Sequence, residues 1–196
     1  MFSLKSKYQD YTDEQLVQLM VSGNSAAFNQ LYQRYSQRLL YYFYRMLGNS
    51  NEKAQDFLQD IFIKLIDKAM TFDPSQKFTT WIFCIAHNMC KNEYRRMDIR
   101  KDVAIESYTD QLLDDEEPCI EEQAVDMEQF TKNVFEELES FDEMHKTAFL
   151  LRYREGFSVK DIGQILEISE GTVKSRLFYT RKRLAERLVK YKQAPF

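Results

Sequence analysis

The segment from Ser158 to Leu188 restricts the fold more than any other part of the chain. Ser158 followed three residues later by Asp161 is a capping-box start, with Asp in the place of Glu. Val159, Ile162, Ile165 and Leu166 then recur at three- and four-residue spacing, the mark of a short helix with one apolar face. Glu167-Ile168-Ser169 interrupts the pattern, and Ser169 suits the N-cap of a second helix. That helix has Val173, Leu177 and Leu184 on an inner stripe. Its outer face carries Lys174, Ser175, Arg176, Tyr179, Arg181, Lys182 and Arg183. Two helices joined by a short turn, the second basic outside and apolar inside, form a helix-turn-helix. Such a second helix fits the major groove of DNA, and its first turns reach base edges. Glu170, Gly171 and Thr172 are small or short, which permits close approach to the backbone. Thr172, Lys174, Ser175 and Arg176 lie where base and phosphate contacts belong.

The rest of the 196 residues agree with an all-α protein: Gly and Pro number only 5 and 3, and no strand-like alternation is sustained. Fifteen Phe and twelve Tyr let small helical lobes bury real cores. No apolar run is long enough to cross a membrane, and the stretch MFSLKSKYQDYTDEQ has no apolar signal segment, so a cytoplasmic location is expected. The net charge of −4 hides a strong asymmetry. Residues 1–101 hold 14 basic and 10 acidic groups (+4), 102–145 hold 1 and 16 (−15), and 146–196 hold 12 and 5 (+7). Two positive lobes therefore flank a negative middle, and the distribution points to nucleic acid where the total does not.

In chain order, Thr12 to Gln15 is a capping box opening a short helix with Leu16, Leu19 and Met20 inward. Asn24 or Ser25 caps a long helix striped by Phe28, Leu31, Tyr32, Tyr35, Leu39, Phe43, Met46 and Leu47, and Gly48-Asn49 stops it. A third helix over about 51–69 has Ala54, Leu58, Ile61, Phe62, Leu65 and Ile66 on its apolar side, with Gln55, Asp56, Gln59, Asp60 and Lys64 opposite. Pro74 makes 72–77 a loop. The fourth helix, 78–97, starts apolar (Phe78, Trp81, Ile82, Phe83, Ile85) and ends polar and basic (His87, Asn88, Lys91, Asn92, Arg95, Arg96). That gradient suits an anchored start and a far half that reaches a polyanion. Residues 98–125 are acid-rich and without a stripe, which reads as an extended, self-repelling linker. Helix resumes near Asp126, with the stripe Met127, Phe130, Val134 and Leu138 followed by Met144, Ala148 and Leu151, and Gly156 stops it. The expected architecture is two small helical domains, 10–97 and 126–192, joined by an acidic flexible linker.

The three cysteines, Cys84, Cys90 and Cys119, do not suggest a disulfide frame. Cys84, His87 and Cys90 share one helix at three-residue spacing, but they fan apart around it and no fourth ligand is near in sequence. Small buried hydrophobes are the better reading than a metal site. No Ser/His/Asp set and no phosphate-binding Gly loop is present, and the densest acids lie in the linker. Neither an enzyme nor a cofactor is expected.

The stretches AQDFLQDIFIKL (54–65) and FTTWIFCIAHNMCKNEYRR (78–96), followed by the helix-turn-helix, resemble bacterial RNA polymerase sigma factors of the sigma-70 family. The likeness is to the small extracytoplasmic-function (ECF) type, which keeps only the second and fourth conserved regions. It implies a region-2 domain at 10–97, a linker at 98–125 and a region-4 domain at 126–192. Asp56, Gln59, Asp60 and Phe62 fall on the motif that docks on the clamp helices of the largest polymerase subunit, β′. Loop 67–77 and helix 78–96 fall where the family reads and melts the −10 element, flipping a base into a pocket. Phe72 and Phe78 are then candidates for apolar contacts, and Asn88, Lys91, Asn92 and Arg95 for polar ones. Trp81 fits the core better than a base stack, given its apolar neighbours. Thr172, Lys174, Ser175, Arg176 and Tyr179 would read the −35 element, with Arg181 and Arg183 on phosphates.

The implied partners are core RNA polymerase (the β′ clamp helices and the β flap), promoter DNA and an anti-sigma factor, with no membrane insertion. The linker would thread the RNA exit path. Two departures stand out: Gly163 replaces the usual Ala, and Glu167 occupies a turn position where Gly is usual. The competing reading is a stand-alone helix-turn-helix repressor or activator, which leaves helix 78–96 unexplained.

Overall fold

The structure, a computed structural model, describes residues 8–104 and 127–188, with side chains for 8–97 and 130–188. Among these residues there is no strand. Most of the expected linker, and Cys119 with it, lies outside the described residues.

Helix α1 spans Asp13–Val21. Its capping box is complete: Gln15 N donates to Thr12 Oγ1 at 3.3 Å and Thr12 N to Gln15 Oε1 at 2.9 Å. The inward set is shifted from the expected one. Leu16 and Val17 are buried, while Leu19 and Met20 lie only partly covered at the edge. Helix α2 (Ser25–Met46) is capped by Asn24, whose Oδ1 accepts from Ala26 N and Ala27 N. Its stripe is buried as expected except at Phe28, which is partly covered, and Tyr32, which is 44% exposed. Gly48 (φ 71°) and Asn49 (φ 57°) turn the chain after it in left-handed conformations that these two residue types tolerate.

Helix α3 (Asn51–Lys68) starts on Ser50 and ends in a 3-10 turn, Ala69–Thr71. Ala54, Leu58, Ile61, Phe62 and Leu65 are buried, but Ile66, expected inside, is 55% exposed. It falls beyond the strip that α2 covers. Helix α4 runs Phe78–Ala104, seven residues past its expected end at 97. Residues 98–104 contain no Gly or Pro to stop it.

The expected single helix from Asp126 to Gly156 is broken. Helix α5 (Met127–Leu138) stops, and α6 (Glu143–Phe149) starts afresh on Asp142, whose Oδ1 accepts from Met144 N and His145 N, both at 3.1 Å. The two apolar stripes were out of phase because each belongs to its own helix. Of the first, Leu138 is buried and Phe130 is 40% exposed. After α6 the chain widens into one π turn, Leu150–Arg154, with Glu155 N donating to Leu150 O at 3.1 Å, and Gly156 (φ 76°) ends it.

Helices α7 (Val159–Leu166) and α8 (Glu170–Leu188) are the helix-turn-helix. The Ser158–Asp161 capping box is present, and Ser169 Oγ accepts from Thr172 N at 3.1 Å. Val173, Leu177 and Leu184 are buried, joined by Thr180, whose hydroxyl donates to Arg176 O at 2.8 Å.

The α1–α4 core is dense in fully buried large side chains such as Leu39, Phe43, Ile61 and Leu65. Each stabilises by about 1.5–3 kcal/mol relative to exposure. This core continues into the C-terminal lobe through Leu151, Phe157, Ile162 and Val173. The lobes therefore pack on each other directly, with α7 along α4 and Phe157 edge-on to Phe83 at 5.1 Å. A second small cluster, Leu138, Phe141 and Leu184, holds α5 to α8.

Candidate nucleic-acid interface

Three surfaces bring together the residues singled out above. The first is the outward face of α3. Asp56, Gln59 and Asp60 are exposed, and neither carboxylate is ion-paired among the described residues. Ile63 and Ile66 lie beside them, 58% and 55% exposed. Phe62, expected on this face, is 5% exposed and packs against Phe28 (5.9 Å) and Tyr32 (4.7 Å). The helical period carries it round to α2. Neither isoleucine was marked as part of a surface, because an apolar residue on an amphipathic helix reads as core.

The second surface is loop 72–77 with α4. Phe78 is 1% exposed, enclosed by Tyr35, Phe72 and Trp81 at 5.1, 5.8 and 5.9 Å, so it presents no face to a ligand. Its backbone N–H donates to Glu14 Oε1 at 3.0 Å, which fixes the start of α4 against α1. Trp81 is partly covered and lies 5.1 Å from Phe72, as a core-edge residue. Phe72 is 7% exposed but lines a cavity of about 200 Å³ with Val17, Gln18, Val21, Ala69, Met70 and Pro74. None of these neighbours was picked out from sequence. The available signal was Val21 and Met70, apolar residues at helix ends that prove 45% and 84% exposed.

Further along α4, Asn88, Asn92 and Arg95 are exposed and Lys91 is half-buried. His87, on the same helix, is 2% exposed. Burial pushes its pKa down to about 4, Lys91 acts in the same direction and Glu167 opposes. Cys84 and Cys90 are thiols whose pKa values burial raises, that of Cys84 to about 11. Among the described residues no cluster of ligating side chains fits a metal ion.

The third surface is α8. Lys174, Ser175, Tyr179, Arg181, Lys182 and Arg183 are exposed, and Thr172 sits in the first turn with its hydroxyl 2.8 Å from that of Ser169. Arg183 lies over the Phe141 ring at 4.6 Å. Arg176, expected on the open face, is half-buried, with Nη1 enclosed and unpartnered among the described residues. Phe178 is 61% exposed in the midst of the basic side chains. Glu167 keeps the left-handed turn position (φ 56°, ψ 41°) despite its side chain. Asp161, just upstream, is raised by burial, but hydrogen bonds from Ser158 and Lys77 outweigh this and leave it below the usual carboxylate range.

Comparison with known proteins gives these surfaces a common frame. The family model for sigma-70 region 2 matches residues 31–98, and that for sigma-70 region 4 matches 143–184. The ECF RNA polymerase sigma-E factor of Haemophilus influenzae is 30% identical over 188 residues, covering 92% of this chain and 97% of its own. The RNA polymerase sigma-H factor of Pseudomonas aeruginosa is 31% identical over 183 residues, covering 90% and 93%. The chain belongs to the sigma-70 family and is an ECF sigma factor. Its fold matches that of the sigma factor RpoE of Bartonella quintana, solved with the anti-sigma factor NepR (TM-score 0.65, 22% identity, 86% and 98% covered).

The region-2 match takes in most of α2, all of α3 and most of α4, and the region-4 match takes in α6, α7 and nearly all of α8. As a sigma factor, the protein binds core RNA polymerase and promoter DNA and directs promoter-specific transcription. Family membership over nine-tenths of the chain sets aside the stand-alone repressor. No described helix is long and apolar enough to cross a membrane.

Proposed function

We propose that this sigma factor divides its work among the three surfaces. The α3 face, with Asp56, Gln59 and Asp60, docks on the β′ clamp helices of core polymerase, and Ile63 and Ile66 supply apolar contact around those polar groups. Phe62 acts from beneath, fixing α3 on α2. The small cavity beside Phe72 accepts one flipped base of the −10 element, with Gln18 as the polar side chain in its lining. Asn88, Lys91, Asn92 and Arg95 hold the strand leading to it, so this lobe opens the duplex as well as reading it. Phe78 supports the cavity wall from the core.

The α8 surface reads the −35 element through Thr172, Lys174, Ser175, Arg176 and Tyr179, while Arg181 and Arg183 grip phosphates. A well-placed bidentate base contact discriminates by about 1–3 kcal/mol. The protein acts in the cytoplasm as a non-catalytic specificity subunit, with the β flap as a second polymerase contact and an anti-sigma factor as its controller. The domains follow the sequence division, 10–97 and 126–192 about an acidic linker.

One observation carries this reading: the candidate groups lie together on three separate surfaces. Asp56, Gln59 and Asp60 are exposed side by side on α3, Asn88, Asn92 and Arg95 on the far half of α4, and Lys174, Arg181, Lys182 and Arg183 on α8. A polymerase contact and two nucleic-acid contacts can then form at once without competing. Asp60→Arg tests it. Loss of a central interface contact costs about 2 kcal/mol, roughly a thirtyfold drop in affinity for core polymerase, with the far-UV dichroism unchanged. Undiminished co-purification with core polymerase removes α3 from the docking surface.

A further inference from the structure

The cavity beside Phe72 has two walls. One is α1, through Val17, Gln18 and Val21, and the other is the segment from Ala69 to Pro74. Glu14 and Gln18 are four residues apart, as are Val17 and Val21, so all four share one side of α1. That side packs against the 3-10 turn at Ala69–Thr71. The region-2 match begins at residue 31, so the α1 wall precedes the stretch that the family model covers.

Among the described residues that line this cavity, Gln18 alone has a polar side chain. Apolar walls accept the face of any base, because every base has one. A hydrogen-bonding group among them chooses between base edges, since a mismatched edge leaves its polar atoms unpaired. The Gln18 carboxamide is available for that task. Gln15, on the same helix, has Oε1 committed to the cap, where it accepts from Thr12 N at 2.9 Å. The Gln18 side chain makes no hydrogen bond among the described residues, and its backbone carbonyl is taken by Ser22 N at 3.2 Å. It therefore presents one acceptor oxygen and one amide donor.

The α1 wall is also held in register with the wall opposite. Arg34 Nη1 donates to Asp13 Oδ1 at 2.6 Å, and the Tyr35 hydroxyl donates to Asp13 Oδ2. Thr79 Oγ1 lies 2.8 Å from that hydroxyl and ties it to α4. Phe78 N donates to Glu14 Oε1, while the Phe78 ring lies 5.8 Å from Phe72. Both walls are thus pinned through Phe78. A side chain selects only where its supports keep it in place, and Gln18 stands one helical turn beyond Glu14.

We propose that Gln18 is a specificity-determining residue: its carboxamide hydrogen-bonds to the edge of the base that enters this cavity and sets which base is accepted at that promoter position. This rests on the reading above that the cavity takes a flipped base of the −10 element.

The test uses holoenzyme reconstituted from the full-length chain and core polymerase, with a duplex DNA library of random sequence. Templates retained as heparin-resistant open complexes are sequenced, which gives the base preference at each promoter position. Gln18→Leu removes donor and acceptor together at similar size. Gln18→Glu keeps the size and leaves acceptors only. Val21→Trp fills the cavity from its exposed rim and leaves Gln18 in place. Far-UV dichroism and an unchanged −35 preference establish that each Gln18 variant is folded, and dichroism does so for Val21→Trp.

In Gln18→Leu, discrimination at one −10 position is expected to fall by about tenfold, with every other position unchanged. In Gln18→Glu, thymine, whose pairing edge carries two carbonyl oxygens, is disfavoured further at that position, and bases with an amino group gain. Val21→Trp loses open complexes on all templates. Unaltered preferences in both Gln18 variants overturn the assignment, and if Val21→Trp has still lost opening, the cavity stands as the base site without it. An equal loss at every position also overturns it, because Gln18 then supports binding and not choice. Normal opening by Val21→Trp overturns the cavity as the base site, and the role of Gln18 with it.

Discussion

His87 has its ring 2% exposed and Nδ1 without a partner among the described residues. Its folded pKa of about 4 lies below the value near 6.5 of an unfolded chain. Between those values the unfolded chain holds more protons. The contribution to stability is therefore complete above about pH 6.5 and is lost as pH falls toward 4, by on the order of 3 kcal/mol. Glu14, Asp142 and Asp161 are held below their usual range and also lose stability in acid, so the informative quantity is a difference between chains. His87→Leu should lose less stability than the wild type between pH 7 and pH 4.5 in urea unfolding. Equal losses would assign the acid sensitivity to the carboxylates. At this scale the sequence placed each candidate side chain on its helix but not its exposure. Phe62 and Phe78 are core, and Arg176 is half-enclosed. Periodicity gives the angle of a side chain on its own helix, whereas its cover depends on how far the neighbouring helix reaches.

The helix-turn-helix is the element where two unusual residues offset each other. Helix propensity alone favours Ala over Gly163 by about 1 kcal/mol. A Cβ at that position, however, would stand 2.9 Å from Ile168 O, a backbone atom that cannot swing aside. Gly163→Ala is therefore expected to destabilise, by about 1–3 kcal/mol of overpacking, seen as a lower urea midpoint at unchanged slope. Glu167 bears the opposite burden: its left-handed conformation costs an ordinary residue about 1–2 kcal/mol. Glu167→Gly should raise the midpoint, by a gain in unfolding free energy of about 0.5–1 kcal/mol, since the freer unfolded chain offsets part of the relief. The caps at Thr12, Ser158 and Ser169 and the stop at Gly48 were legible because each rests on neighbours within a few residues. The break between α5 and α6 was less so. Its signal was a change of phase between two apolar stripes, with an unremarked Asp142 between them.

For the whole molecule, one continuous core has a thermodynamic signature. Phe157 is 6% exposed at the seam and touches Phe83. Phe157→Ala removes about 3–5 kcal/mol of packing. Calorimetry should then show two transitions, one for each lobe, where the wild type shows one. A single transition in the variant would mean that contacts elsewhere along α4 and α7 suffice to couple them. The contact between the lobes was not legible in the sequence. Charge and composition separated two basic ends from an acidic middle, and an inward stripe states that a helix must be covered without stating by what.

The wide turn at Leu150–Arg154 accommodates one residue more than an α-helical turn would. Each residue of an α-helix advances the direction of the chain by about 100°. Losing one residue there would swing everything downstream by that angle around the axis of α6, turning Phe157 out of its seat and the cationic stripe of α8 toward its neighbours. The number of residues in that turn is therefore as much a part of the fold as the buried Leu150 and Leu151 within it.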